Sequence, residues 1–435
     1  MKWLVVAGAC ALAACSDLTK VTSLGIVQPT SELNATGAAA WFNGAVRIFT
    51  QNFSNAVSTS GTFVDEIYGT DYIGNDGEGF LTDARRPFTP GFPTTRSSNF
   101  TSFNLALQNL REALDALRTY APTPASRIGQ MLAFTGYTEM LLAEEYCNGI
   151  PLSQITPEGT VTYSSGVTTP DLYARAIAHF DSAATAGADT ARILNLARVG
   201  RGRALLDVGR YADAATAVNA VPTSFVWNPE YSTNTSIAYN VIFANTNVSP
   251  SSRYKSVADR DGGVGLNFVS AKDPRVPTVY IGFGNDGVSP LYGFAPFTSY
   301  ASTMTLASGT EARLIEAEAA LQANHNDANP TGSGWLGILN SLRASSTGLA
   351  PLADPGSYDA RVDLLFRERA FWMFLTTHRM SDVRRLVRQY GRAVNTVYPS
   401  GNWKDGLPYG TEVVFDVPLS EASNPKFTAC KDKNP

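Results

Sequence analysis

Apolar residues recur every three or four positions over much of the chain, which is the spacing of one face of an α-helix. Clusters of proline, glycine and asparagine separate the segments that show this spacing. The pattern predicts helices, some with internal breaks, over 38–53, 98–120, 126–147, 169–187, 191–222, 308–324, 334–345 and 354–392. In the segment at 169–187, Thr169 is the expected N-cap and Pro170 the first helical residue. We therefore predict a mostly α fold with only a few short strands.

Residues 191–222 carry the best example of an internal repeat. Small residues at Gly200, Ala204 and Gly209 allow two helices to approach closely, and Tyr211 opens a second helix after a short turn. The order of helix, glycine turn, tyrosine, helix and proline resembles the tetratricopeptide repeat. We therefore predict tetratricopeptide-like helical repeats that stack as an α-superhelix.

Two stretches interrupt the helical pattern. Residues 54–97 are rich in Gly, Thr, Asp and aromatic residues, and residues 221–305 are rich in Pro, Gly, Asn and aromatic residues. A loop as long as 221–305 inside a compact domain is usually functional. The predicted organisation is a signal peptide at 1–14, a tether at 15–34, N-terminal helical repeats at 35–220 with the loop insertion at 54–97, an aromatic-rich insertion at 221–305 that carries the ligand face, C-terminal helical repeats at 306–392 and a loop and strand tail at 393–435.

The first fifteen residues, MKWLVVAGACALAAC, resemble a bacterial lipoprotein signal. The apolar run at 3–14 is too short to span a bilayer as a helix, and it fits the core of a secretory signal. The residues before Cys15 resemble a lipobox, after which cleavage leaves Cys15 to carry the lipid. We expect acyl chains at Cys15 to hold the protein on a membrane, with the polar residues after it as a tether. The alternatives are an ordinary signal peptide or a short core segment of a cytosolic protein.

Charge and composition exclude some classes of protein. The 435 residues are 44% hydrophobic and 17% charged, which suits a sizeable core and not a disordered chain. The net charge of −4 is unfavourable for a nucleic-acid-binding protein, so we expect no nucleic-acid partner. In the mature protein Cys147 and Cys430 either form a disulfide in an oxidising compartment or stay as two thiols.

Residues 364–392 combine many arginines with large apolar side chains. Their uninterrupted apolar part, 370–375, is too short for a membrane span. The arginines alternate with acidic residues, so we predict a buried or half-buried ion-pair network between packed helices. The residues expected in it are Glu368, Arg369, Arg379 and Asp382.

The same segment resembles the C-terminal signature of the SusD/RagB-like outer-membrane nutrient-binding lipoproteins. The matching positions are Glu368, Arg369, His378, Arg379, Asp382, Arg384 and Arg385. The chain departs from the signature at Thr376 and Thr377, where the family usually has Glu-Gly, and at Met380, where it often has Trp. The segments ARLIEAEAAL and VVFDVPLSEASNP resemble two further family motifs, and with the lipobox they extend the resemblance over nearly the whole chain.

The resemblance implies a function in nutrient uptake. It implies a lipid-anchored outer-membrane protein, facing the cell surface, that binds a nutrient in its loops and delivers it to a TonB-dependent, SusC-like transporter. A glycan or oligosaccharide is the first expectation for the ligand and a peptide the second. The alternative is a tetratricopeptide-type envelope scaffold that binds proteins instead of nutrients.

Flat aromatic faces with a few polar partners suit a sugar or peptide ligand. The alternative for each ring is that it packs a loop onto the repeats. The candidate ligand-binding residues in the loops are Tyr68, Tyr72, Asn75, Asp76, Trp227, Tyr231, Arg253, Asn285, Tyr292, Phe294 and Trp403.

Motifs for catalysis, metal or cofactor binding are missing from the sequence. The three histidines form no HExxH pair, and neither a GxSxG elbow nor a phosphate-binding GxxxxGK[ST] loop occurs. The segment DRDGG begins like a calcium loop, but its twelfth position is Ser270 instead of glutamate. We therefore expect a binding protein that is not an enzyme and has no cofactor or metal.

Overall fold

The computed structural model describes residues 33–71, 79–87, 95–156, 159–235, 237–246 and 253–435. The helices are α1 (Ala35–Phe63), α2 (Gly79–Asp83), α3 (Thr95–Tyr120), α4 (Ala125–Glu145), α5 (Thr169–Ala186), α6 (Ala191–Asp207), α7 (Tyr211–Val218), α8 (Val241–Thr246), α9 (Gly309–Ala323), α10 (Trp335–Ala344), α11 (Tyr358–Trp372), α12 (His378–Arg388) and α13 (Val394–Val397). The predicted mostly α fold is confirmed. The predicted signal peptide, Cys15 and nearly all of the tether lie outside the described residues.

The strands that the structure describes are short and pair in twos. They are β1 (Ile67–Gly69), β2 (Ile150–Pro151), β3 (Gln154–Ile155), β4 (Val161–Thr162), β5 (Gly166–Val167), β6 (Val226–Trp227), β7 (Lys255–Val257), β8 (Thr278–Phe283), β9 (Pro290–Phe294) and β10 (Ala307–Ser308). Among the described residues they form five antiparallel pairs: β1–β7, β2–β5, β3–β4, β6–β10 and β8–β9.

The helices form a stack in which neighbours along the chain contact one another. α1 packs on α3, α3 on α4, α4 on α5, α5 on α6, α6 on α7, and α7 on α9. Gly209, with φ of +76°, makes the turn between α6 and α7 that the tetratricopeptide pattern predicts. The N-cap of α5 is Thr168 and not Thr169, so the first helical residue is Thr169 instead of the predicted Pro170. The side chain of Thr168 accepts from Asp171 N at 3.2 Å.

The stack encloses one large apolar core and a smaller one. The large core runs from α1 through α7 and reaches the β1–β7 pair and the C-terminal tail. The smaller core lies between α9, α10, α11 and α12, around the fully buried ring of Trp335. No helix among the residues that the structure describes is long and apolar enough to cross a membrane.

The predicted loop at 54–97 is wrong at its start, because α1 continues to Phe63. Residues 58–62 are mostly serine and threonine, and this composition is typical of a loop. In the fold they are buried, and their hydroxyls bond inside the helix: Ser60 donates to Ala56 O and Thr62 to Ser58 O, each at 2.7 Å. The polar face of α1 is therefore satisfied by its own carbonyls and can lie in the core.

The predicted ion-pair network is confirmed, and it is centred on Asp382 in α12. Asp382 accepts from Arg369 of α11 at 3.0 Å and from Arg385 of its own helix at 2.6 Å. Arg385 also pairs with Glu318 of α9, so three helices share the charges. All four side chains are nearly inaccessible to solvent, and the two guanidinium groups hold the pKa of Asp382 far below its usual range against the effect of burial.

The other signature residues tie α11 and α12 to distant parts of the chain. Glu368 accepts from Arg275 at 2.7 Å and from Arg343 at 2.8 Å. Arg379 binds Asp65 at 2.6 Å, at the end of α1. The remaining two make these contacts: His378 Nε2 lies 2.9 Å from Glu311 Oε1, and Arg384 Nη1 donates to Ala143 O at 2.8 Å.

The C-terminal tail returns to the end of α4. Cys147 and Cys430 form a disulfide with their Cα atoms 5.9 Å apart. On either side of it, Cys147 N donates to Phe415 O at 2.9 Å and Asn148 N to Asp432 O at 3.1 Å. The tail is thus fixed to the N-terminal repeats.

Candidate ligand pocket

An open pocket of about 900 Å³ lies where the β1–β7 pair, the β8–β9 hairpin, the turn at 259–263 and the segment 402–409 meet. Its volume falls in the range of about 300–1,000 Å³ that is usual for small-molecule sites. Four aromatic side chains line it: Tyr68, Tyr292, Trp403 and Tyr409. A pocket of about 620 Å³ between α7 and α9 has only one ring, that of Tyr211. Another pocket has five aromatic residues in its lining but measures about 260 Å³, below the usual range; they are Phe294, Phe297, Phe371, Trp372 and Phe374. The pocket at the hairpin is therefore the candidate ligand site.

The β8–β9 hairpin forms one wall of the pocket. Its turn is closed by Gly284 N, which donates to Ser289 O at 2.9 Å, and by Asp286, whose carboxylate accepts from Ser289 N at 2.8 Å. The sequence GFGNDG at 282–287 therefore forms the turn of this hairpin. A bulge between Tyr280 and Gly282 bends β8, and Tyr280 stands 5.4 Å from the ring of Tyr292.

The segment DRDGG forms a tight turn at the pocket edge. Gly262 has φ of +56°, and a Cβ on it would lie 2.5 Å from Ser400 N, so only glycine fits. The turn places Asp261 where its Oδ1 accepts from the hydroxyl of Tyr409 at 2.6 Å. The motif therefore positions a carboxyl group and an aromatic ring in the pocket.

Trp403 is held firmly as part of the pocket lining. It is 5% exposed and packs with Ala84 and Tyr409. The side chain of Trp403 donates a hydrogen bond to Asp83, and the Arg86 guanidinium lies 5.7 Å from the centroid of the Trp403 ring. The ring is therefore preorganised, which reduces the entropy that a ligand would lose in ordering it.

Burial perturbs the ionisable groups around the pocket. Burial raises the pKa of Asp83 to about 6 and that of Asp261 to about 8, and the Coulombic effect of Asp83 adds to the shift of Asp261. Burial also raises the pKa of Tyr68 to about 12, so its hydroxyl stays protonated and donates to Pro290 O at 2.5 Å. Asp261 is therefore mostly protonated near pH 7, and can donate a hydrogen bond as well as accept one.

Three of the eleven predicted ligand residues, Tyr68, Tyr292 and Trp403, line this pocket together. Tyr72, Asn75 and Asp76 lie outside the described residues. Asn285 lies in the turn of the hairpin and Arg253 beside it, where Asn285 N donates to Arg253 O at 3.0 Å, and neither residue lines the pocket.

The structure does not bring the last three predicted residues to the pocket. Trp227 is 4% exposed and packs edge-on to Phe134, with the guanidinium of Arg192 4.2 Å from its ring centroid. Tyr231 packs against the large core. Phe294, at the far end of β9, packs against two further phenylalanines, with its centroid 5.0 Å from Phe297 and 5.3 Å from Phe374.

Sequence reasoning missed several residues of the pocket. Tyr409 and Lys404 line the pocket, and the one feature of the sequence that could have indicated this is their closeness to Trp403 in the chain. Arg260, Asp261 and Lys272 also line the pocket, and in the sequence this segment resembles only the start of a calcium loop within the long insertion. Among the described residues, no group of three or more His, Cys, Asp or Glu side chains is placed to hold a metal ion.

The fold is that of the SusD superfamily. A SusD-superfamily protein from Parabacteroides distasonis matches with a TM-score of 0.66 and 12% identity, over 91% of this chain and 98% of that one. A SusD-like carbohydrate-binding protein from Bacteroides vulgatus matches with a TM-score of 0.63 and 14% identity, over 91% and 97%. The surface glycan-binding protein A from Bacteroides uniformis matches with a TM-score of 0.64 and 12% identity, over 91% and 99%.

At the level of sequence, no family model matches the chain, and no curated protein matches it. The structural matches at 11–15% identity therefore establish the fold, and they agree with the resemblance found in the signature residues.

Proposed function

We propose that the protein binds a glycan in the pocket lined by Tyr68, Tyr292, Trp403 and Tyr409. The observation that carries the proposal is the convergence of these four rings from distant parts of the chain on one open pocket. The apolar faces of sugar rings pack on aromatic side chains, and their hydroxyls need polar partners. Two solved proteins with this fold are described as carbohydrate-binding or glycan-binding, which supports the same ligand class.

The polar groups of the pocket suit sugar hydroxyls. Ser289, Asn402 and Asp261 line it together with the rings, and they supply both donors and acceptors. A peptide is the second ligand class, since it also combines apolar and hydrogen-bonding groups. Screening the purified mature protein on glycan and peptide arrays tests the ligand class. Retention of glycans is the expected result, and retention of peptides alone would overturn the glycan assignment.

We further propose that the protein is an outer-membrane lipoprotein, anchored through Cys15 and facing the cell surface, that delivers its ligand to a TonB-dependent transporter. The lipobox-like sequence before Cys15 and the signature around Asp382 support this proposal. The lipid would keep the pocket near the membrane, and the transporter would supply the route for import.

A pull-down tests the delivery step. Membranes are solubilised gently, the full chain is captured through a C-terminal tag, and the proteins that come with it are identified by mass spectrometry. We expect a large TonB-dependent β-barrel transporter in near-equal amount. A soluble or periplasmic protein without a barrel would contradict delivery and favour the scaffold alternative.

A further inference from the structure

Two basic residues of the pocket have no acidic partner. Arg260 and Lys272 line it, and within the part of the chain that the structure describes neither side chain makes an ion pair or a hydrogen bond. Most other arginines of this protein are paired, such as Arg86 with Asp405 at 2.5 Å and Arg275 with Asp273 at 2.7 Å. Unpaired cations that line a concave site are available to an incoming anion.

The backbone at both positions gives an independent reason to connect these cations with a ligand. Arg260 has φ of +59° and Lys272 has φ of +50°, in the left-handed region that is unfavourable for residues with a Cβ. Only five non-glycine residues among those described adopt positive φ, and these two line the same pocket. Glycine would adopt either conformation at lower cost, yet the chain has a long basic side chain at both. Strained positions of this kind concentrate at functional sites.

The other charged groups of the pocket do not neutralise these cations. Asp259 is a single acidic residue against two cations, and its Oδ1 accepts from Ser270 N at 2.9 Å and from Ser270 Oγ at 3.0 Å instead of pairing with either of them. Asp261 accepts from Tyr409, and burial raises its pKa to about 8, so at pH 7 it carries little charge. Lys404 donates to two backbone carbonyls, each at 2.8 Å, and it pairs with the carboxylate of Asp286 at 3.4 Å, so it adds little to the charge of the lining. The lining is therefore positive near neutral pH.

We propose that the pocket selects a glycan that carries an anionic group, a carboxylate or a sulfate, which Arg260 and Lys272 bind while the aromatic rings hold the sugar. This inference rests on the proposed glycan-binding function and narrows it to one chemical class. A guanidinium group binds a carboxylate or sulfate oxygen through charge-assisted hydrogen bonds, which are about twice as strong as neutral ones. Neutral and anionic forms of one oligosaccharide should therefore differ in affinity.

The test compares matched ligand pairs by isothermal titration calorimetry. Oligogalacturonate is compared with its methyl ester, and sulfated carrageenan oligosaccharides with their desulfated forms, which separates carboxylate from sulfate recognition. At least one anionic form is expected to bind about 10-fold or more tightly than its neutral counterpart. That preference should weaken as salt is raised, because mobile ions screen exposed charges.

Variants assign the preference to the two cations. Arg260→Gln and Lys272→Gln are each expected to remove most of it, whereas Lys426→Gln, an exposed lysine outside the pocket, removes the same charge without effect. Arg260→Gly is a second test, because glycine suits the positive φ. It should leave the melting temperature unchanged or raise it, and still reduce the affinity for the anionic ligand. If Arg260 had only a structural role, Arg260→Gly would not lower the affinity while the melting temperature stayed the same or rose.

The outcomes also separate this inference from the proposed function. If neutral and anionic forms bind equally and Tyr292→Ala weakens both, the anionic preference is wrong and glycan binding stands. If the preference persists in both glutamine variants, Arg260 and Lys272 are not its source. If neither these oligosaccharides nor any glycan on the array binds, the proposed function fails as well.

Discussion

The buried charges show what a single residue contributes to this fold. Asp382 is shared by Arg369 and Arg385, and all three side chains lie within the helical stack. The sequence predicted a network here because acidic and basic residues alternate within an apolar segment. It could not predict Asp65 or Arg275 as partners, because their contacts with α11 and α12 join residues far apart in the chain.

Removing the shared carboxylate should destabilise the protein strongly. Asp382→Asn removes the carboxylate that Arg369 and Arg385 share and leaves both buried guanidinium groups with Glu318, and Arg385 also with Asp207, so we expect a loss of about 3–5 kcal/mol in unfolding free energy. The control is Asp213→Asn, which breaks a half-exposed pair with Arg210 and should cost less than about 1 kcal/mol. Urea titration measures both. Similar losses for the two variants would show that the network around Asp382 is not essential to the fold.

Glu66 should make stability depend on pH. Burial raises its pKa to about 8 from 4.5, and its carboxyl accepts from Leu375 N at 2.9 Å. The folded chain therefore keeps a proton that the unfolded chain releases, and this contribution is complete below pH 4.5 and lost as pH rises through 8. Glu66→Gln should reduce the decline in unfolding free energy between pH 5 and pH 8.5 by about 1–4 kcal/mol. An unchanged decline would mean that Glu66 is ionised in the native protein.

At the scale of elements, the apolar spacing predicted most of the helices, such as α5, which buries one face. The end of α1 was missed because serine and threonine are ambiguous: their hydroxyls satisfy helix carbonyls as readily as they form turns. The packing between helices was predicted in outline by the small residues of the repeat. Gly200 of α6 faces Phe180 of α5, and a Cβ on it would lie 2.4 Å from that ring.

Two glycine-to-alanine substitutions separate packing from helix propensity. Gly200→Ala should destabilise the protein by about 1–3 kcal/mol, because the added methyl group collides with Phe180. Gly44→Ala in α1 meets nothing within 4 Å and should stabilise it by about 0.5–1 kcal/mol, since alanine is the better helix former. Calorimetric melting temperatures should shift in opposite directions. Shifts of the same sign would contradict the close packing of α5 on α6.

At the scale of the whole molecule, the pocket depends on chain topology, which the residue pattern does not contain. Tyr68, Tyr292 and Trp403 were recognised as candidates by their chemistry, but so was Trp227, which packs in the core. Aromatic residues suit both environments, and only the folded chain distinguishes them. The same applies to Arg260, whose exposure and positive φ have no signature in the sequence.

The most direct test of the account is the affinity of the mature protein for a glycan that the array retains, measured by calorimetry. Tyr292→Ala removes one ring of the pocket and should weaken binding about 5- to 30-fold, while Tyr120→Ala, at the exposed end of α3, should leave it unchanged. Both variants should keep the circular dichroism spectrum of the parent protein. If Tyr292→Ala binds the glycan as tightly as the parent protein does, this pocket is not the ligand site.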